Sequence, residues 1–424
     1  MKESGIDWIG QIPEEWEVKD IKHIFEEIGS GSTPKSDNEI FYDGDINWIQ
    51  SGDLYQTDTV TSVSKTISYQ GFKSTSALKI YKHPFIALAM YGASVGNVAI
   101  SCIDACVNQA VVVMLGASEK VRFGKYAIEA SKNNLIFSAQ GGTQPNISQN
   151  LIKNWSIPQP KSSEQTKIAD FLDKKTTQLD KVKSLLEEQI QKLKDYRASL
   201  IYETVTKGLD KAVPMKDSGI DWIGQVPEGW KIGRVKDAFK LRSEKNFRPI
   251  EEVQLLSLYT EFGVFPHGDR EEKGNKAVST EGYKIVYKKD IVVNIILAWM
   301  GSIGISEYDG VTSPAYDIYE PLEGVCSKFF HYLFRTEAFA GQCYKYGKGI
   351  MKMRWRTYSD DFKTIEIPIP DYNSQVNIVK FLDNKLKIIN QLIDIKQEQI
   401  ENINKQRQTL IYNYVTGKRR GKEI

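Results

Sequence analysis

Ser4-Gly-Ile-Asp-Trp-Ile-Gly-Gln11, near the start of the chain, is repeated without change as Ser218-Gly-Ile-Asp-Trp-Ile-Gly-Gln225. A second stretch, Ile157-Pro-Gln-Pro160, returns as Ile367-Pro-Ile-Pro370. The two offsets are 214 and 210 residues, so both repeats belong to one internal duplication. A duplicated frame of this kind predicts two pseudo-equivalent halves related by an approximate twofold axis.

The segments between the repeated stretches diverge. Residues 17–156 and 231–366 differ in length by four residues and show little identity. We expect one mixed α/β fold that presents two different surfaces, because short β-branched and aromatic runs alternate with Gly and Ser turns. The runs that predict strands are Ile46–Ile49, Phe85–Met90, Ala110–Leu115, Ile285–Tyr287 and Ile291–Leu297.

A long helix is predicted after each Ile-Pro-x-Pro stretch. The first has a seven-residue spacing of Leu172, Leu179, Leu186, Leu193 and Leu200, with Ile168, Val182 and Ile190 on the same stripe. No Pro or Gly interrupts Ser163–Lys207, so we predict one helix of about 45 residues that ends at Gly208. The second copy has similar spacing and ends at Gly417. Each helix could pack on its own domain, but helices this long would overhang it, which favours an antiparallel coiled-coil pair.

The composition is that of a globular protein without a strong charge excess. Of 424 residues, 41% are hydrophobic and 26% are charged, and the formal net charge is +2. Any nucleic-acid surface must therefore be local. The four cysteines form no Cys-x-x-Cys and the four histidines are scattered, so we expect no metal site. No signal peptide or membrane-spanning apolar stretch is evident, which predicts a cytoplasmic protein.

Three polar loops are candidates for contact with DNA. Residues 29–36 and 140–146 are rich in small residues and amides, which suit hydrogen bonds to base edges. Residues 344–357 contain five Lys and Arg, no acid, and interleaved Tyr and Trp, which suit phosphate contacts, although such a run is also typical of a solvated face. The candidate DNA-binding residues are Ser32, Thr33, Lys35, Thr143, Gln144, Asn146, Lys345, Lys348, Lys352, Arg354 and Arg356.

At these residues the chain resembles the specificity subunits of type I restriction-modification systems. The resemblance is carried by the two Asp-Trp-Ile-Gly-x-x-Pro-x-x-Trp openings, the Gly-Ser-Thr-Pro loop, Asn108-Gln-Ala110, Ser313-Pro-Ala-Tyr316 and the two helices that end in Leu-Ile-Tyr. It implies a non-catalytic subunit with two target-recognition domains, each of which reads one half of a bipartite, gapped sequence in double-stranded DNA. The helices would dock two methyltransferase subunits and, through them, restriction subunits, which direct adenine methylation or cleavage.

This resemblance also implies a domain plan and a division of labour. Residues 1–156 and 211–366 would each hold an opening motif and a recognition domain, and residues 157–210 and 367–424 would hold the long helices. The fold would be mixed α/β, with two pseudo-symmetric recognition domains joined by the antiparallel helices. The openings and the helix ends would close a pseudo-symmetric circle. No cofactor would bind this chain, whereas partner subunits would use S-adenosylmethionine, ATP and Mg²⁺.

Three other functions are alternatives to this one. An amino-methyltransferase holds its flipped base with an Asn/Asp-Pro-Pro-aromatic tetrad, but the fourteen prolines here include no adjacent pair. Asp360, Asp361 and Lys363 resemble part of a metal-dependent nuclease motif, yet the equivalent positions in the first copy lack the carboxylates. A coiled-coil adaptor that binds only proteins fits the helices and the duplication equally well, and a DNA-binding measurement separates it from a DNA-reading subunit.

Overall fold

Each repeated opening belongs to its own unit of the fold. In a computed structural model of the protein, the first unit comprises residues 1–186 and 397–424, and the second comprises residues 187–396. The structure describes residues 1–139, 145–260, 263–268, 279–349 and 355–419. The first unit therefore contains both the beginning and the end of the sequence.

The first copy contains short strands and helices followed by one long helix. Its strands are β1 (Lys2–Glu3), β2 (Gln11–Ile12), β3 (Glu17–Asp20), β4 (Glu27–Ser30), β5 (Tyr42–Ile49), β6 (Thr59–Val60), β7 (Thr66–Ile67), β8 (Phe85–Ala89), β9 (Val98–Ser101), β10 (Cys106–Val107), β11 (Val111–Leu115) and β12 (Ser156–Gln159). Its helices are α1 (Tyr69–Lys73), α2 (Ser118–Ala130), α3 (Lys132–Phe137), α4 (Gln149–Lys153) and α5 (Ser162–Lys207).

The second copy follows the same plan. Its strands are β13 (Met215–Asp217), β14 (Gln225–Pro227), β15 (Lys231–Arg234), β16 (Phe239–Arg242), β17 (Leu256–Tyr259), β18 (Gly263–Pro266), β19 (Lys284–Val286), β20 (Ile291–Asn294), β21 (Ile303–Ile305), β22 (Gly310–Thr312), β23 (Tyr316–Pro321) and β24 (Glu366–Ile369). Its helices are α6 (Val235–Ala238), α7 (Ser327–Phe334), α8 (Glu337–Tyr346), α9 (Ser359–Phe362) and α10 (Tyr372–Val415). Strands are present in all five runs that predicted them.

The two ends of each divergent segment are held together by a two-stranded antiparallel sheet. β3 pairs with β12, and β15 pairs with β24. Pro158 and Pro368 are tolerated in these strands because each strand has one neighbour, so a missing N–H breaks no second ladder. The two ends of each divergent segment are therefore adjacent, and the segment is an insertion into the repeated part of the chain.

Both insertions have the same central sheet although their sequences differ. The strand order is β4-β11-β8-β9 in the first and β16-β23-β20-β21 in the second, and every neighbouring pair is antiparallel. In the first sheet β6 adds a parallel strand beyond β9. The central strands β8, β11 and β20 are almost wholly apolar and buried, as expected for strands that are covered on both faces. The prediction that both insertions share one mixed α/β fold is confirmed.

The two long helices are uninterrupted and run antiparallel. In the first unit, Phe171 of α5 packs on Tyr414 of α10 with ring centroids 4.4 Å apart. In the second unit, Gln189 and Arg197 of α5 contact Lys396 and Asn390 of α10, at 2.5 Å and 3.0 Å respectively. Within the second unit, residue numbers fall along α10 as they rise along α5, so the two helices run antiparallel there.

One residue assigned to the helix seam was placed wrongly. Val182 is 46% exposed, whereas Leu172 and Ile190 of the same predicted stripe are buried. A straight α-helix has 3.6 residues per turn, so a stripe defined by a strict repeat of seven drifts around the helix and includes positions beside the contact. Val182 therefore lies beside the buried face of α5 and is exposed to solvent.

Each opening motif packs on the last turn of the long helix from the other copy. Gly417, just after α10, lies against Pro13 and Trp16, and a Cβ added to it would approach Pro13 Cδ to 2.5 Å. Gly208, just after α5, meets Pro227 and Trp230 in the same way, at 3.4 and 3.2 Å. Both glycines have positive φ, +68° and +74°, as a left-handed helix end requires. In each unit, therefore, the opening motif contacts the end of a long helix.

The same polar contact attaches each insertion to its long helix. Tyr126 of α2 donates to Asp173 of α5 at 2.6 Å, and Tyr332 of α7 donates to Asp383 of α10 at 2.5 Å. A basic residue one turn earlier supports each carboxylate, with Lys328 bonded to Asp383 at 2.8 Å. Both carboxylates belong to the repeated Phe-Leu-Asp, so each divergent segment contributes one tyrosine that binds the repeated part of the chain.

None of the helices in the described part of the chain is long and apolar enough to cross a membrane.

The closure can be tested with a pair of glycines that differ only in their surroundings. Gly417 and Gly5 both have positive φ, but nothing lies within 4 Å of a Cβ added to Gly5. Gly5→Ala should cost only backbone strain, about 1 kcal/mol in the free energy of unfolding. Gly417→Ala adds overpacking against Pro13 and should cost about 2 to 4 kcal/mol in total. Urea unfolding of the full chain measures both, and equal losses would contradict the packing described.

Candidate nucleic-acid interface

Several loops leave the central sheet of the second unit at one edge. The last residues of β16 and β20 pair with residues at the start of β23, to which both strands are antiparallel. The chain therefore leaves β16 and β20 at the end where it enters β23. A further segment joins them, because the Thr357 N–H donates to the Ile295 carbonyl oxygen at 2.8 Å. We define the second recognition edge as residues 243–249, 295–302, 313–316, 344–349 and 355–357.

The first unit has the equivalent edge. The last residues of β4 and β8 pair with the start of β11, and the Ile147 N–H donates to the Met90 carbonyl oxygen at 2.8 Å. We define the first recognition edge as residues 30–35, 90–97, 108–110 and 145–147. The two edges are built by the same topology, so side chains at matching positions are presented in matching ways.

The structure places the described candidate residues at these two edges. Ser32, Thr33, Lys35 and Asn146 lie at the first, and Lys345, Lys348 and Arg356 lie at the second. Thr143, Gln144, Lys352 and Arg354 lie outside the described residues. Residues separated by more than a hundred positions in the first copy are thus brought to one surface.

The first edge is uncharged over most of its length and rich in hydrogen-bonding groups. Thr33 Oγ1 donates to Gln109 Oε1 at 2.5 Å, and both side chains are exposed. Gln109 belongs to the Asn-Gln-Ala motif and is not among the predicted site residues. Lys35 is also exposed and adds a single positive charge.

The small residues of the first loop serve the packing of the chain itself. A Cβ added to Gly31 would overlap the carbonyl oxygen of Val107. The Ser32 carbonyl oxygen accepts a hydrogen bond from Trp48 Nε1 at 3.2 Å, and Ser32 is half-buried. Gly31 therefore has no room for a side chain, because Val107 lies against it. These contacts with Val107 and Trp48 hold the loop in place, and the loop exposes Thr33 and Lys35 to solvent.

At the second edge two basic residues pair in an isolated antiparallel bridge. Lys348 and Arg356 exchange backbone hydrogen bonds of 2.9 and 3.0 Å, and both side chains are exposed. Lys348 Nζ also forms an ion pair with Asp361 at 2.9 Å, which offsets part of its charge. Lys345, in the last turn of α8, is exposed as well. This edge is therefore cationic where the first edge is mostly neutral.

The described aromatic residues beside this bridge pack on one another. The Tyr344 and Trp355 rings stack at 5.0 Å with an interplanar angle of 21°, and Trp355 Nε1 donates to the Tyr344 carbonyl oxygen at 2.9 Å. Trp299 contacts Tyr344 from the neighbouring loop, with ring centroids 6.0 Å apart. Their main role is internal packing, which positions the backbone that carries Lys348 and Arg356.

One loop of the second edge was missed by the sequence analysis. Residues 243–249 follow β16 as residues 31–35 follow β4, and they include exposed Lys245, Phe247 and Arg248. The internal duplication could have identified this loop, because it lies about 212 residues after the Gly-Ser-Thr-Pro loop and occupies the equivalent position in the second copy. The composition of the loop alone is unremarkable, because Glu244 and Pro249 break the basic run.

The carboxylates that resembled a nuclease motif form ion pairs. Asp360 accepts from Lys363 at 2.6 Å, and this hydrogen bond holds the pKa of Asp360 below its usual value. Asp361 is the partner of Lys348. Within the described ranges, no three His, Cys, Asp or Glu side chains are grouped so that they could hold a metal ion.

Sequence comparison finds the same duplication in a known family. A profile described as the type I restriction modification DNA specificity domain matches residues 13–194 and again residues 227–404. Two specificity subunits of type I restriction enzymes from Methanocaldococcus jannaschii are similar in sequence. MjaX is 24% identical over 98% of this chain and 96% of that protein, and MjaVIII is 24% identical over 70% of each.

Solved structures show the same fold at lower identity. A chain solved in work on complex assembly and conformational transition of the type I R-M system has a TM-score of 0.70 and 14% identity, covering 96% of this chain and 98% of that one. The HsdS subunit from Thermoanaerobacter tengcongensis has a TM-score of 0.51 and 15% identity, with the same coverage. Nearly all of the chain therefore shares its fold with these solved structures.

The salt dependence of binding to duplex DNA tests the cationic edge. Lys345→Ala and Arg356→Ala should each weaken binding and reduce the slope of log affinity against log salt by about 1, because each cation releases about one counterion at a phosphate. Lys348→Ala should have a smaller effect, since Asp361 already offsets its charge. Lys236→Ala is the control, because Lys236 is exposed in α6 at the opposite end of β16. An unchanged slope in Lys345→Ala and Arg356→Ala would place the DNA elsewhere.

Proposed function

The chain belongs to the type I restriction modification DNA specificity family and is a specificity subunit, and from this premise we propose that its units read two unlike DNA half-sites. The single observation that carries this proposal is the pair of recognition edges. They share one strand topology but present different chemistry, with Thr33, Gln109 and Asn146 on the first and Lys345, Lys348 and Arg356 on the second. Two surfaces that share a topology but differ in chemistry suit the reading of two different DNA sequences.

The target is proposed to be a bipartite sequence in double-stranded DNA with an unread gap. Amide and hydroxyl groups of the first edge suit hydrogen bonds to base edges in the major groove. The basic groups of the second edge supply phosphate contacts, which position a protein on DNA without specifying sequence. Because α5 and α10 each include residues of both units, we propose that the helix pair sets the gap.

The chemistry is proposed to belong to partner subunits. This chain would contribute no catalytic group and bind no cofactor, while methyltransferase subunits would use S-adenosylmethionine and restriction subunits would use ATP and Mg²⁺. The absence of an adjacent proline pair supports the view that the flipped adenine is held by a partner. We place this assembly in the cytoplasm, where it would meet DNA.

The long helices offer two matching surfaces for methyltransferase subunits. Val182 and Leu185 of α5 are 46% and 48% exposed, and Leu392 and Ile395 of α10 are 42% and 52% exposed. The two pairs are related by the offset of 210 residues that relates the helices. Exposed apolar pairs on otherwise polar helices are typical of protein contacts. We propose that each pair contributes to the docking of one methyltransferase subunit.

Methylome sequencing tests the proposed function directly. A host that carries this chain with its methyltransferase should gain adenine methylation at one gapped sequence with two unlike halves. Replacing residues 17–156 with the corresponding segment of a relative should change one half and leave the other half and the gap unchanged, because the base of the insertion is closed by β3 and β12. A continuous target, or no target, would refute the proposal.

The docking surfaces are tested by the composition of the reconstituted complex. Native mass measurement of the wild-type chain with excess methyltransferase should show two bound subunits. Val182→Asp with Leu185→Asp should remove one of them, since a charge at each position makes desolvation of the contact costly. Leu392→Asp with Ile395→Asp should remove the other.

Ser184→Asp is the control for a negative charge on the same helix, because Ser184 is already an exposed polar residue. Two bound subunits in both double variants would show that docking lies elsewhere.

A further inference from the structure

The loop after β16 carries an aromatic side chain into solvent at the second recognition edge. Phe247 is 77% exposed, and it lies in the loop between β16 and the short helical turn at Ile250–Glu252. A single exposed hydrophobic residue is common on protein surfaces. What distinguishes Phe247 is the way in which its neighbours hold it.

The residue before Phe247 anchors the loop. Asn246 is 1% exposed, and its Nδ2 donates to the carbonyl oxygens of Arg248 and Thr280 at 2.8 and 3.1 Å. Its Oδ1 accepts from the Arg248 N–H at 3.2 Å, and its own N–H donates to the Tyr283 carbonyl oxygen at 2.7 Å. A buried, fully bonded amide fixes the backbone on both sides of Phe247. The ring is therefore presented by a rigid loop.

The residues that flank this ring are cationic. Lys245 and Arg248 are both exposed and lie two and one positions from Phe247. The nearest acid in the sequence, Glu244, is bonded to Arg242 and Tyr287 at 3.1 and 3.2 Å, so its charge is partly offset. An apolar ring between two cations matches the chemistry of duplex DNA, in which apolar base faces lie between two phosphate strands.

We propose that Phe247 is an apolar wedge that the second unit inserts against a base step of its DNA half-site, with Lys245 and Arg248 on the flanking phosphates. This inference rests on the proposed function. Proteins that use Phe in this way partly unstack a base step, and the contact with base faces contributes to affinity. The matching position of the first edge, at the same offset of 212, is Lys35, so the distortion should occur in one half-site.

The test uses the reconstituted complex with the duplex found by methylome sequencing. 2-Aminopurine, whose fluorescence rises when it unstacks, replaces successive bases of the second half-site. The wild-type complex should raise the fluorescence at one step. Phe247→Ala should remove this rise and weaken binding by about 5-fold to 100-fold, the range found when a base-stacking aromatic side chain is truncated. The salt slope should stay unchanged, because no charge is lost.

Two further variants make the result specific. Phe247→Leu keeps an apolar wedge and should retain most of the fluorescence rise. Leu322→Ala should leave both readouts unchanged, because Leu322 is 39% exposed just after β23, at the opposite end of the same sheet. Thermal melting should be the same for all variants, since neither side chain is buried.

The outcomes separate this inference from the function on which it rests. If the wild-type complex binds no duplex, the proposed function fails and the wedge fails with it. If the wild type binds and Phe247→Ala keeps full affinity and the fluorescence rise, the wedge is refuted while the proposed function stands. If Phe247→Ala instead lowers the number of bound methyltransferase subunits, the ring is a protein contact and the inference is wrong.

Discussion

The contact on which the rest of the structure depends is the packing of each opening motif on the last helical turn of the other copy. Gly417 against Pro13 and Trp16, and Gly208 against Trp230, close the two units in the same way. Each closure requires a residue without a side chain in a left-handed conformation, so the tolerance for change is small. The first unit therefore contains residues 1–186 and 397–424, and the repetition of the opening motif is explained by this requirement.

The contacts that stabilise the fold and the loops that differ between the two units involve different residues. The antiparallel pairs β3 with β12 and β15 with β24 hold the ends of each insertion, and Asp173 and Asp383 attach the insertions to the helices. Inside this boundary a sheet needs only apolar strands in the right order, which many sequences satisfy. The loops at the recognition edges take part in none of these contacts. They are held by anchors of their own, such as Asn246. Recognition residues can therefore change while the frame is kept.

The sequence predicted the features that repeat or have a period, and it failed where side chains from distant loops meet. The duplication and the uninterrupted heptads predicted two units and an antiparallel helix pair, because both signals are encoded along the chain. Burial of Val182 was predicted wrongly because a period of seven only approximates a helical face. The roles of Gly31 and Trp355 depend on Val107 and Tyr344, which topology brings near, and Phe247 stands out only once its exposure is known.

The central claim is that the paired helices set the distance between two independent half-sites. It is tested most directly by inserting four residues into both helices, next to Gln189 in α5 and next to its contact Lys396 in α10, and sequencing the methylome. The insertion adds about 6 Å and roughly one helical turn to the pair. The account predicts unchanged half-sites and a gap longer by about two base pairs, at roughly 3.4 Å each. An unchanged gap, or an altered half-site, in a complex that still methylates DNA would contradict it.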